Sequence, residues 1–271
     1  MEQDLNGVLL SNTDGITTLT FNDPGALNAI SLETLKALSN ALDIIEDPEL
    51  NTRCLIITGA GRAFCAGANI LSGGDGDNGG KPDPKKKIDA GAALESHYHP
   101  ILRRLRNLPC PIVTSVNGAA AGVGMSFALM GDMIVAGKSA YFLQAFRRIG
   151  LVPDGGATWL LPRLVGMARA RELALMGEKL HAEKALEWGL INRVVEDSEL
   201  AAETHKVAKS LADGPMSIGL IRSLMTESID NSYEEQLNME RQLQRKAGRS
   251  NDFTEGVMAF AQKRPANFTG K

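Results

Sequence analysis

Twice in the middle of this chain a short, continuous apolar run ends in a stretch of glycine and alanine, and that repetition narrows the possible folds more than any other feature. Cys54 to Thr58 runs into Gly59-Ala60-Gly61, and Pro111 to Val116 runs into Asn117-Gly118-Ala119-Ala120-Ala121-Gly122-Val123-Gly124. Runs this short and this apolar fit strands buried on both faces. Behind the second run, Met125 to Met130 reads as an apolar helix. A buried strand, a turn of small residues and a helix, repeated, specify an α/β arrangement. Further strands are expected at Asp132 to Ala136 and near Tyr141 to Leu143, ahead of a loop at Gly150 to Asp154.

The flanking sequence fits the same frame. Val8 to Leu10 and Ile16 to Phe21 bracket Asn12-Thr13-Asp14-Gly15, a hairpin signature. Ser31 is placed to cap a helix whose stripe is Leu32, Leu35, Leu38, Leu42 and Ile45, and Asp47-Pro48 stops it. A further helix is expected from Ala90 to Arg106, bent at Pro100. Residues 72 to 87, rich in glycine, aspartate, proline and lysine, read as a mobile surface loop with Lys85 to Lys87 in solvent. The rest is mostly helical, with Gly177 and Gly189 as C-terminal stops and a strong helix near Ser232 to Lys246. No linker divides the chain, so residues 1–271 read as a single α/β domain with a helical C-terminal third.

Composition removes several function classes. The 29 basic and 32 acidic side chains give a net charge of -3, which leaves no basic excess for a general grip on nucleic acid. No stretch has the apolar length of a membrane span. The N-terminus, MEQDLNGVLL, carries acids where a targeting signal would carry lysine or arginine. Cys54, Cys65 and Cys110 show neither CxxC nor metal-ligand spacing, which points to a reducing, cytoplasmic setting with neither disulfide nor zinc.

Gly59-x-Gly61 after a strand invites a dinucleotide reading, but Phe64 stands where that fingerprint needs glycine or alanine. The chain has no GxxxxGK[ST] and no GxSxG, and no two histidines are spaced to share a metal. What remains are two small-residue turns, Ala66-Gly67-Ala68 and Ala121-Gly122-Val123-Gly124, each expected to lead into a helix. Small side chains let a ligand reach the main chain, and a helix start offers unpaired N–H groups. Two such turns facing one point would form an oxyanion hole; close helix packing is the other use for the same residues.

The segments Gly61-Arg62-Ala63-Phe64-Cys65-Ala66-Gly67-Ala68-Asn69-Ile70, Val116-Asn117-Gly118 to Gly124, and Glu255-Gly256-Val257-Met258-Ala259-Phe260 to Lys263-Arg264 together resemble the enoyl-CoA hydratase/isomerase (crotonase) superfamily, over nearly the whole chain. That resemblance implies a spiral of repeated ββα units over residues 1–195 and a helical oligomerisation region over 196–271, assembled as a homotrimer or a dimer of trimers. It implies an acyl-CoA thioester substrate, with no metal and no separate cofactor. It assigns the enolate-stabilising N–H groups to Ala68 and Val123. CoA is assigned to Leu27, Asn28, Ala29, Ala66, Gly67 and Ala68, with Phe260 and Lys263 completing the nucleotide pocket, in one version from a neighbouring subunit.

The two glutamates of the family's hydratases fall on Ser126 and Phe146, neither of which can move a proton as a carboxylate does. A carboxylate stands instead at Asp154, in Gly150-Leu151-Val152-Pro153-Asp154-Gly155-Gly156-Ala157-Thr158-Trp159, a segment similar to the phenylacetate-pathway 1,2-epoxyphenylacetyl-CoA isomerase and Δ3,Δ2-enoyl-CoA isomerase branch. There the aspartate is the acid/base. The plainer role for Asp154 is to cap the helix that Gly155 would begin. Phe142, Phe146 and Trp159 are candidate apolar walls, and burial among them would raise the Asp154 pKa. His99, paired in sequence with Asp154 as in the family's 4-chlorobenzoyl-CoA dehalogenases, keeps dehalogenation open. An enoyl-CoA isomerase is the expectation, and an atypical hydratase and a noncatalytic acyl-CoA-binding protein compete with it.

Overall fold

The computed structural model describes residues 1–69 and 89–271. The repeated unit sorts its strands between two sheets. In each repeat the longer strand enters a seven-stranded sheet: β4 (Cys54–Gly59), β6 (Ile112–Val116) and β8 (Met133–Gly137) lie side by side and parallel there. The short strand that follows enters a four-stranded sheet: β5 (Ala63–Cys65), β7 (Ala119–Ala121) and β9 (Tyr141–Leu143), again parallel. The chain thus winds as a spiral of ββα turns, as the resemblance implied.

The expected hairpin is present as β2 (Val8–Thr13) and β3 (Ile16–Phe21), with β1 (Glu2–Asp4) added at the edge. It joins the larger sheet through a parallel β3–β4 pairing. On the other side, β11 (Arg193–Val195) pairs parallel with β8, while β10 (Lys179–His181) closes the small sheet against β9. Strand β4 shows why its sequence is continuously apolar. Leu55 and Ile57 face the main core, and Cys54 and Ile56 face a second core covered by helix α6 (Leu200–Ala212). The signature Ala119-Ala120-Ala121 reads as a turn but is strand β7. Alanine has little strand preference, and pairing with β5 and β9 on both sides overrides it.

Helix α1 (Leu32–Ile45) begins where expected: Ser31 Oγ accepts from the Thr34 N–H, and Thr34 answers through the Ser31 N–H. The reciprocal cap is worth about 1 kcal/mol. The helix expected over 90–106 is divided. A π-helical turn, Leu94–Tyr98, in which the His99 N–H donates to the Leu94 carbonyl, precedes α2 (His99–Asn107). Pro100 has no N–H to give to the carbonyl four residues back, so the distortion falls one turn before the proline rather than at it. Helix α3 is Val123–Ala128, two residues earlier than the sequence suggests. The positive φ of Gly122, 53°, turns the chain directly into it.

After α4 (Ala157–Met176), which Gly177 ends in the left-handed conformation, and α5 (Ala182–Glu187), the C-terminal region is helical: α6, α7 (Ser217–Glu227), α8 (Tyr233–Ala247) and α9 (Asn251–Gln262). Ser232 and Glu235 form the capping box that starts α8. The expected loop at 72–87, and any helix after Ala68, lie outside the described residues. Among the described residues, no helix is long and apolar enough to cross a membrane.

Arg222 ties the helical region to the spiral. Its buried guanidinium pairs with Asp132 at 2.6 Å and donates to the carbonyls of Leu105, Arg106 and Leu108, the last two at 2.8 and 2.7 Å. Arg222→Ala would leave the Arg106 and Leu108 carbonyls without that donor and Asp132 without its cation, and should destabilise the protein by about 3 kcal/mol, read by denaturant unfolding.

Candidate active site

The first small-residue turn is stapled to a strap at residues 27–30. The Ala66 N–H donates to the Leu27 carbonyl at 3.0 Å, the Ile30 N–H to the Gly67 carbonyl at 2.8 Å, and the Asn69 N–H back to the Ile30 carbonyl at 2.8 Å. In this parallel bridge the residues on either side of Ala68 satisfy Ile30, so the Ala68 N–H faces the opposite edge. It has no hydrogen-bond partner among the described residues. The strap therefore meets the turn as the sequence suggested, but the Asn28 side chain is engaged. Buried, with φ +58°, it donates to the carbonyls of Ala60 and Ala63 at 2.9 and 2.7 Å and accepts from the Asp23 N–H. Asn117 adds bonds to the carbonyls of Gly59 and Gly61, so two side-chain amides hold the turn in place.

The second N–H comes from α3. Val123 is the first residue of that helix, where no intrahelical acceptor exists, and its N–H makes no other backbone bond. The two turns touch. A Cβ on Gly67 would lie 2.9 Å from the Ala121 carbonyl oxygen and 3.8 Å from Gly122 Cα, so only glycine permits the approach. Ala68 and Val123 follow those touching glycines directly in the chain.

Asp154 reaches the same place from a third segment. A Cβ on Gly155 would lie 2.8 Å from Ser126 Cβ and 3.2 Å from Val123 Cγ2, which packs this turn on the first turn of α3. Ser126 Oγ donates to the Asp154 carbonyl at 3.0 Å. The expected capping role is not taken: α4 starts at Ala157 with Gly156 as its cap, and the Asp154 backbone carbonyl, not its carboxylate, accepts from the Ala157 N–H. One carboxylate oxygen, Oδ1, is buried without a hydrogen-bond partner. Burial pushes the carboxyl up to about 6, against a smaller opposing pull from His99.

The aromatic walls differ from those expected. Phe146 lies against the Gly122 turn, Phe142 is sealed in the core, and Trp159 is held between the guanidinium groups of Arg106 and Arg163. Tyr98, buried at the end of the π turn, is the aromatic residue that feels the Asp154 charge, and burial together with that charge raises its hydroxyl pKa. Its position follows from the π turn, which no local pattern announces. His99 lines a cavity of about 640 Å³ together with Gly155, Gly156, Leu102 and Trp159. Phe260 and Lys263 stand apart: Phe260 is 88% exposed, and Lys263 ends α9 in the left-handed conformation. Neither side chain hydrogen-bonds to the segments around Ala68.

Two N–H groups without backbone partners and a carboxylate with one buried, unpartnered oxygen thus sit on turns that pack against one another in a ββα spiral. The sequence profile of the enoyl-CoA hydratase/isomerase family matches residues 11–271, and the chain belongs to that family. It is 44% identical to the 1,2-epoxyphenylacetyl-CoA isomerase of Escherichia coli strain K12, over 97% of this chain and 98% of that one. A probable enoyl-CoA hydratase of Rhodobacter capsulatus is 39% identical over 96% of both chains. Among solved structures, the enoyl-CoA hydratase of Bacillus anthracis superposes with a TM-score of 0.88 at 28% identity, covering 98% of this chain and all of that one.

Proposed function

We propose that this chain is an enoyl-CoA isomerase in which Asp154 moves the proton and the Ala68 and Val123 N–H groups hold the thioester oxygen. The observation that carries this reading is the buried, unpaired Oδ1 of Asp154 in a turn packed on the start of α3. Removing a proton from the carbon beside a thioester sends an electron pair toward the carbonyl oxygen. Fixed donors stabilise that charge without reorganising, and each contributes about 10²- to 10³-fold in rate.

Asp154 takes the C2 proton, the double bond moves from C3=C4 to C2=C3, and the carboxyl returns a proton to C4. The charges balance with one acid/base group. Hydration needs a second group to activate water, and Ser126, whose hydroxyl serves the Asp154 carbonyl, and Phe146 stand where hydratases carry glutamates. A desolvated carboxylate is also the stronger base for a carbon acid, which fits the isomerase over a plain binding protein.

The strap at Leu27, Asn28 and Ala29 and the turn at Ala66, Gly67 and Ala68 form the CoA side of the site. Phe260 and Lys263 serve the nucleotide of a neighbouring copy in a homotrimer or dimer of trimers, a role suited to an aromatic ring left in solvent. No metal or redox cofactor is required by this chemistry. Three free, buried cysteines suit the cytoplasm, and the similarity to the epoxyphenylacetyl-CoA isomerase favours an aryl acyl group.

The test is to supply straight-chain and aryl 3-enoyl-CoA thioesters and follow appearance of the 2-enoyl product. Hydroxyacyl-CoA formed from a 2-enoyl substrate would overturn the isomerase reading. The pH dependence has a definite sign: Asp154 is a base only when ionised, so kcat/KM should be flat above about 6 and fall about tenfold per unit below it.

A further inference from the structure

We propose that the cavity beside the Asp154 turn takes an uncharged apolar acyl group much larger than a four-carbon chain, and that Trp159 is the residue that sets its selectivity. It rests on the proposed function for the place of the thioester, with its oxygen at Ala68 and Val123 and its C2 to C4 at Asp154.

The turn after Asp154 joins that place to the cavity. A Cβ on Gly155 would point at Ser126 and Val123, on the donor side, whereas one on Gly156 would meet nothing within 4 Å. Both glycines line the cavity, so an acyl chain held at Asp154 continues past them into it.

The cavity also has a direction. On α4 it is lined by Gly156, Trp159, Leu160 and Leu164, spaced as one helical face. At about 1.5 Å per residue, Trp159 lies about 4.5 Å along from Gly156 and Leu164 about 12 Å. Leu102 and Arg106 of α2 form another wall, and Met225 of α7 with Ile229 just beyond it a third. Met225 and Ile229 are 66% and 46% exposed, apolar side chains still open to a cover.

The lining selects the occupant. Its arginines are already paired: Arg103 with Glu95, Arg106 with Asp230, and Arg222 with Asp132. A carboxylate at the far end of the acyl group would find these cations taken. At about 640 Å³ the space is that of a whole small-molecule site, and a four-carbon acyl group would leave most of it to water against leucine and methionine.

Trp159 adds a preference of shape. The guanidinium carbons of Arg163 and Arg106 lie 4.0 and 4.5 Å from its ring centre. Cations over the faces hold the indole in place and leave its edge to the cavity. An aromatic edge carries partial positive charge and seeks the face of another ring. An aryl acyl group therefore gains a contact that a linear chain of equal size does not.

The experiment is calorimetric titration with acyl-CoA thioesters that carry no alkene and so report binding apart from catalysis. Butanoyl-, hexanoyl- and octanoyl-CoA form the linear series, and phenylacetyl-CoA is the aryl arm. Affinity should rise about fourfold per added methylene, on the order of 10²-fold from butanoyl to octanoyl. Met225→Glu, at an exposed position, should cut that octanoyl-to-butanoyl ratio about tenfold, because an apolar tail would strip water from a carboxylate. Trp159→Leu should weaken phenylacetyl-CoA about two- to tenfold more than octanoyl-CoA. Each ratio is taken within one variant, so a partial loss of folded protein cancels. A flat linear series, as when a second copy of the chain fills the cavity, would overturn the proposal. So would a rising series that Met225→Glu leaves intact, which puts the acyl group elsewhere. Equal losses of both ligands in Trp159→Leu would overturn the role of the tryptophan. A rising series without any 2-enoyl product from a 3-enoyl-CoA fails the isomerase reading and keeps the pocket, whereas a flat series from an active isomerase fails the pocket alone.

Discussion

Asp154→Asn is expected to lower kcat for double-bond migration by about 10²- to 10⁴-fold, the usual worth of a positioned acid/base, with little change in thioester binding. Asparagine keeps the shape of the side chain and removes the lone pair basicity. The backbone carbonyl, which carries the contacts to Ser126 and Ala157, is untouched, so the turn should stand. Stability supplies the second readout. The folded carboxyl holds its proton up to about 6, against 3.8 as the ordinary value, so the folded state binds more protons than the unfolded state in that window. The parent must therefore lose stability as pH rises from about 4 to 6. The asparagine variant does not titrate, so its melting temperature should gain on the parent's across that interval and stay higher at neutrality. A side chain that merely capped a helix would show the opposite or nothing.

The cap that Asp154 does not form marks the boundary between what neighbouring residues decide and what the fold decides. Periodicity and turn chemistry located the hairpin, α1 with its Ser31 cap, β4, β6, β8 and the start of α8, because each is decided by residues close in sequence. The strand at Ala119–Ala121 was hidden, since nothing local favours a strand in three alanines and its neighbours in the small sheet decide it. At the candidate site, the small-residue turns were legible because the close approach of the two turns restricts Gly67 to glycine, and Asp154 because it is the carboxylate in its segment. The place of Tyr98 near Asp154 was not, because a π turn displaces the face that α-helical spacing assigns. Of the expected aromatic walls, Phe142 is sealed in the core, where its neighbours in the small sheet put it, whereas Trp159 lines the cavity beside Gly155 and Gly156 with two arginines on its ring.

The second large effect concerns groups that no side-chain replacement removes directly. The proposed oxyanion donors are backbone N–H groups, and Gly67→Ala is the substitution that should displace them, costing about 10²- to 10³-fold in kcat, the loss typical of one such donor. Two independent penalties act at this position. With φ at +103°, Gly67 occupies backbone space that an L-residue rarely adopts, and its new Cβ would stand 2.9 Å from the Ala121 carbonyl oxygen. That oxygen belongs to β7, which β5 and β9 hold on either side, so the relief available is to part the two turns. Parting them moves Ala68 away from Val123, and the two N–H groups no longer converge on one oxygen. Thioester affinity should fall far less than kcat, since the donors matter most as charge develops. Gly166→Ala separates this from simple strain. Gly166 also has a positive φ, 79°, but a Cβ there meets nothing within 4 Å, so that variant should lose stability and keep its kcat. Equal losses of kcat in the two variants would assign the effect to backbone strain and deny the paired turns their role in catalysis.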